Sequence, residues 1–162
     1  MAYFNNAWEQ RTLQDVLRVN SGKDYKKLNY GAIPVFGTGG YMLSVDESLS
    51  EKDAVGIGRK GTINSPQLLK APFWTVDTLF FLTPESETSL LFIYSLCQII
   101  PWKKFDESTG VPSLSKNTIE KIKILIPDKN EQSKIGMLFE HTNNLIAANQ
   151  RQQNKPWKDH PP

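Results

Sequence analysis

Six residues in the middle of the chain, Gly56-Ile57-Gly58-Arg59-Lys60-Gly61, fit the pattern G-x-G-x-x-G. In a dinucleotide-binding fold those glycines close a strand and open a helix whose N-terminus holds a pyrophosphate. Asp53 to Ile57 reads as the strand, but Thr62-Ile63-Asn64-Ser65-Pro66 follows, and a β-branched pair before a proline starts no helix. Thr62 also stands where a P-loop carries its lysine, and no His-Arg-Asp or Asp-Phe-Gly accompanies the glycines as in a kinase. What remains is a tight turn presenting two adjacent cations, Arg59 and Lys60, a shape that can press against a phosphate backbone.

Other groups that do chemistry are sparse. The two histidines, His141 and His160, fall on a terminal helix and in the tail, and with the single Cys97 they provide no zinc spacing. Asp77 lies among aromatics without a paired carboxylate and reads as a structural hydrogen-bond acceptor. No Ser or Thr has a histidine placed to suggest a triad. The expectation is a binding module and not an enzyme, with no catalytic residue, no metal and no cofactor.

The surrounding elements follow from pattern. A chain of 162 residues builds one core plus an appendage, and a net charge of +2 does not by itself argue for nucleic acid. Charge is uneven, however: Arg18, Lys23, Lys26 and Lys27 cluster against Asp24 alone, and Ala54 to Val76 carries cations without carboxylates. Cys97 lies within the apolar run Leu90 to Ile100, too short to span a bilayer, and reads as a buried thiol in a reducing compartment. Met1 to Asn6 has neither a basic region nor an apolar core, so the location expected is cytoplasmic, without membrane contact.

Strands are expected at Ala32–Phe36, Tyr41–Val45, Ala54–Ile57, Phe73–Leu82 and Lys121–Ile126, where β-branched and aromatic residues alternate between glycine and proline turns. A helix capped by Ser86 should run to Ile100 and stop at Pro101, and a shorter one is expected over Leu13–Val19. Trp74, Leu79, Phe81, Leu90, Ile93 and Cys97 are the expected core. After Pro127 the character changes. Asp128-Lys129-Asn130-Glu131 is a capping-box arrangement, and a helix is expected from there to about Gln153. On it Ile135, Leu138, Thr142, Leu145 and Asn149 recur at three and four, with Phe139 and Ile146 widening the stripe. Two readings fit this seam: an intermolecular coiled coil, with Asn149 setting register, or a helix packed on its own domain with Asn149 at a solvated end. Residues 155–162 look disordered.

Seven segments then appear in order: Trp8 to Leu13, Gly22 to Tyr25, Ile33 to Tyr41, Ile57 to Thr62, Ala71 to Thr78, Ser108 to Ser115, and Ile126-Pro127 to Glu131-Gln132. The series resembles one half of the DNA-specificity subunit of type I restriction–modification systems, from Trp8 to about Arg151. The resemblance implies an α+β chain: a mainly β target recognition domain with a packed helix (residues 1–127), then a conserved coiled-coil-type helix (128–154) and the tail. It implies a non-catalytic protein that reads one half of a split site in double-stranded DNA. Its partners would be methyltransferase subunits and, through them, restriction subunits, which carry their own cofactors. Specificity subunits normally carry two recognition domains joined by antiparallel helices, so a chain with one domain and a shortened helix is expected to be half-size or truncated and to form a homodimer through that helix.

Given the resemblance, Lys23, Lys26, Lys27, Arg59 and Lys60 are the leading DNA-contact candidates, followed by Tyr41, Lys103 and Lys104, since cations position a protein on phosphates. The glycine turns either approach phosphates or simply shape the domain, and Ser113, Leu114 and Ser115 are either loop contacts or packing. The alternative function is a truncated scaffold or antagonist that engages methyltransferase or specificity subunits through its helix and binds DNA poorly alone. A nucleotide-binding enzyme is the third and weakest reading.

Overall fold

The computed structural model describes residues 8–154; the expected tail, and His160 within it, lie outside them. At the centre is an antiparallel sheet in the order β2 (Leu17–Ser21), β8 (Leu79–Pro84), β5 (Ala54–Gly58), β6 (Gln67–Leu69). Because side chains alternate across a strand, β8 sends Phe80 and Leu82 to one core and Leu79 and Phe81 to another. The first core is closed by α1 (Leu90–Ile99), through Phe92, Ile93 and Cys97. The second is closed by a three-stranded sheet, β4 (Gly40–Val45), β3 (Tyr30–Gly37), β7 (Trp74–Thr75), in which β3 and β7 run parallel. Burial on both faces explains why Ala54–Ile57 and Leu79–Leu82 are continuously apolar rather than alternating. A two-stranded clasp, β1 (Glu9–Thr12) against β9 (Lys123–Ile126), joins the two ends of this region.

Several expectations change. Phe73–Leu82 is not one strand. Trp74–Thr75 pairs with β3, a turn closed by Leu79 N donating to Val76 O (3.0 Å) follows, and β8 starts in the other sheet. Asp77 is therefore an exposed turn residue, not an acceptor among aromatics. The expected helix at Leu13–Val19 is a 3-10 turn at Leu13–Asp15 followed by β2, because Thr12 and Asp15 bond each other locally and end the turn. α1 is capped by Ser89, not Ser86: β8 runs through Pro84, and Ser89 Oγ accepts from Phe92 N. Leu90 and Tyr94 on its face are only half-buried against the first core. Ahead of β9 stands a short helix, α2 (Lys116–Glu120), capped by Ser115.

The last helix, α3 (Lys129–Gln153), begins where the capping pattern places it, with Asp128 Oδ1 accepting from Glu131 N (3.0 Å). The reciprocal half of the box is absent; the Glu131 carboxylate instead accepts from Trp8 Nε1. Gln132, buried beside it, donates to Pro127 O and accepts from Ser89 N (both 3.0 Å), tying the start of α3 to the start of α1. One turn on, α3 crosses α1 at Gly136, where a Cβ would lie 2.8 Å from Phe92 N. Ile135 packs on the first core and Phe139 meets Tyr94 edge-to-face at 6.3 Å, so these two seam residues face their own chain. From Glu140 to Asn154 every residue is exposed, as are Leu138, Leu145 and Ile146.

Candidate nucleic-acid interface

The Arg59-Lys60-Gly61 turn is pinned from two sides. Arg59 N donates to Thr78 O (2.8 Å), while Gly61 N donates to Pro112 O and Leu114 N to Arg59 O (2.8 Å each). A side chain on Gly58 would collide with the carbonyl of Thr62, and Gly61 has φ +94°. The last two of the motif's three glycines thus shape a turn that a residue with a side chain would strain or block. Thr38 lies next to Gly61, and Gln67 Nε2 donates to the carbonyls of Gly37 (2.9 Å) and Thr38 (3.2 Å), so the β3–β4 hairpin meets the same place. Lys23 is held nearby: its N–H donates to Thr75 O, and its carbonyl accepts from Trp74 Nε1 (2.9 Å each). Segments far apart in sequence, around Lys23, Thr38, Arg59, Thr78 and Ser113, therefore converge at one end of the sheets.

The side chains at this end form a cationic hollow of about 390 Å³. Its wall carries Arg59, Lys60 and Lys116 and no carboxylate. The Arg59 guanidinium lies over the Phe80 ring, 5.7 Å from its centre, an arrangement that orients the cation. Ser113, which bridges to Lys60, lines the same wall; Leu114 is buried packing and Ser115 caps α2. Behind the wall, Asp106 accepts from Ser108 N and Ser113 N (2.9 Å each), bonds that hold its carboxyl below the usual carboxylate range. Lys116 was not anticipated. Ser115 three residues before Thr118 was the available signal, since a helix start there puts Lys116 beside the Ser113 segment.

The remaining candidates scatter. Lys103 and Lys104 are exposed on a 3-10 turn (Trp102–Phe105) that ends at Asp106, and so sit a few residues from the hollow. Tyr41 is 63 % exposed on the β3–β4 hairpin, its ring edge-on to Phe36 and its hydroxyl 3.1 Å from Ser44 Oγ. Lys26 and Lys27 stand on a turn leading to Asn29, at the opposite end of β3 from Gly37.

A larger hollow of about 560 Å³, between β1, the β8–α1 turn and the start of α3, has the opposite character. Glu9, Asp15, Glu85, Glu87, Asp128 and Glu131 line it against only Arg11 and Lys129. Like charges would repel phosphate there, so the cationic end is the one suited to a polyanion. Among the described residues no cluster of His, Cys, Asp and Glu holds a metal geometry, and burial pushes the Cys97 thiol up to about 12. No helix among them is long and apolar enough to cross a membrane.

The pattern of the type I restriction modification DNA specificity domain matches residues 5–155. The chain belongs to that family. Among solved structures, the specificity-domain chain is similar to the S subunit of a type I restriction-modification system from M. genitalium, at 18 % identity and a TM-score of 0.70, over 95 % of this chain. It is also similar to the HsdS subunit from Thermoanaerobacter tengcongensis (17 %, 0.69, 95 %). A third likeness is to a structure described for complex assembly and conformational transition of the type I R-M system (17 %, 0.73, 94 %). At these identities the likeness concerns the α+β fold. The chain spans 42 % of each of those three chains. No curated protein matches it.

Proposed function

We propose that this specificity-domain chain is a non-catalytic, cytoplasmic module that reads one half of a split site in double-stranded DNA and directs methyltransferase subunits, and through them restriction subunits, to it. The observation carrying this reading is the acid-free hollow at the convergent loop end, where Arg59, Lys60 and Lys116 stand together. Cations in such a place set position and orientation on phosphates, while neighbouring loops supply the side chains that meet base edges. Residues 8–127 form the recognition body in this reading, with the Tyr41 hairpin, Lys23 and Lys103-Lys104 flanking the hollow. α3 is the helix through which a second copy pairs, using Leu138, Thr142, Leu145, Ile146 and Asn149, all exposed. The scaffold reading has no comparable observation in its favour.

Binding of duplex DNA containing the host's methylated motif, measured by fluorescence anisotropy across a salt series, tests the proposal. Replacing Arg59 and Lys60 together by alanine should reduce the slope of log affinity against log salt by ~0.9, the share of one lost phosphate contact, since both cations face one hollow. An unchanged slope removes this turn from the interface.

A further inference from the structure

Sequence reading singled out Arg59 and Lys60 as separate contacts; the hollow they share has a third cation. Lys116 comes from the first turn of α2, more than fifty residues further along the chain, and is brought to the pair by the backbone bonds of Gly61 to Pro112 and of Leu114 to Arg59. Its ammonium is 3.7 Å from Glu120, with about half of the side chain exposed, so the ion pair is weak and the cation remains available. Arg59 is oriented by Phe80, and the Lys60 backbone is fixed by its bridge to Ser113. Ser21 and Ser113 add hydroxyls to the wall. A second carboxylate on this side, Glu107, is turned to Ser115 and Thr118.

We propose that Lys116 completes, with Arg59 and Lys60, a seat for one backbone phosphodiester of DNA, making it a phosphate-positioning residue. The chemistry follows from the set. A planar guanidinium offers paired donors to two phosphate oxygens, two ammonium groups add charge from other directions, and serine hydroxyls donate to what remains. A phosphate carries only acceptors, and a wall of cations and hydroxyls with no carboxylate or amide side chain matches it. The seat rests on the DNA reading given above. It adds that a group placed by α2, at the C-terminal side of the domain, fixes how the Arg59 turn sits on the duplex.

The test compares the full chain with Lys116→Ala, Lys116→Arg and, as a control for the ion pair, Glu120→Gln. Two measurements are made: duplex binding across 50 to 200 mM salt, and NMR of the Arg59 Nε–H and the Ser113 amide during titration with inorganic phosphate. Losing one phosphate contact lowers the salt slope by ~0.9, so wild-type affinity should fall about threefold more over that range than Lys116→Ala affinity does. Lys116→Arg should restore the slope, Glu120→Gln should leave it alone, and phosphate should move both resonances in wild type but not in Lys116→Ala. If wild type binds duplex and Lys116→Ala keeps its slope, the seat is wrong and the DNA reading stands. If wild type binds no duplex while phosphate still moves the resonances, the DNA reading falls and the anion seat survives. Resonances unmoved by phosphate in a chain that binds no duplex overturn both.

Discussion

Replacing Gly136 by alanine sets two known effects against each other. In an exposed helix interior the change should stabilise, since alanine is favoured over glycine there by about 1 kcal/mol. At the crossing with α1, however, the new methyl would lie 2.7 Å from Leu91 Cβ, 2.8 Å from Phe92 N and 2.9 Å from Leu91 C. Two of those three atoms are backbone and cannot swing aside, so α3 must lift from α1. Overpacking of this kind costs about 1–3 kcal/mol. It also threatens the Tyr94–Phe139 contact and the seating of Ile135. The expected net result is destabilisation by roughly 1 kcal/mol, or about 2–4 °C in Tm for a chain of this size. Urea unfolding followed by circular dichroism measures it. A variant more stable than wild type would mean that α3 stands clear of α1. Ile135 and Phe139 would then be free for pairing between chains, and the account of this crossing would be wrong.

Three further outcomes are expected. Phe81→Ala should lose about 3–5 kcal/mol in chemical denaturation, because the ring is buried edge-on to Phe73 at 5.5 Å in the second core; a thermally unaffected variant would place that core wrongly. Changing Leu138 and Leu145 together to aspartate should convert a homodimer to folded monomers in sedimentation velocity, since both side chains are more than half exposed on α3; a monomeric wild type at high concentration refutes the pairing. Asp15, Asp46, Asp53 and Asp106 all have carboxyls held low, chiefly by hydrogen bonds from Thr12, Asn29, Ala71 and Ser113 respectively. The stability they contribute is present above the ordinary carboxylate value of about 4 and lost as pH falls through their lower folded values, so Tm should hold from pH 7 to 5 and drop below 4. A flat Tm down to pH 3 would deny these bonds.

The pattern of α3 was legible because local chemistry settles it: Asp128 caps, nothing breaks the helix before Gln153, and the helix forms over those residues. The β3–β4 hairpin and β5 were likewise readable from their turns and β-branched residues. Phe73–Leu82 misled because uninterrupted apolarity marks burial on both faces, not continuity of one strand; Asp77-Thr78 was the polar pair at which the chain changes sheet. Leu13–Val19 misled because its apolar spacing suits a helix, while β2 takes its conformation from pairing with a strand more than sixty residues away. The cationic hollow was half legible. Arg59 and Lys60 stood out from their glycines, but their nearness to Lys116 and Ser113 depends on backbone bonds between distant segments of the chain that no local pattern encodes.

The clasp of β1 on β9 has a consequence for how this chain is made and moved. Glu9 lies opposite Ile126, so the first strand has no partner until nearly the whole body has left the ribosome, and the fold closes late rather than growing from its N-terminus. The same clasp brings the two ends of the body side by side, at the foot of α3, with the loops that carry Arg59 and Lys60 away from that junction. A body tethered by neighbouring ends can be cut out and grafted as one insertion, since the host chain need only supply two adjacent attachment points. Transplanting residues 8–139 onto an unrelated helical stem, so that Gln132, Ile135, Gly136 and Phe139 stay packed on the body, is thus an exchange that this topology suits.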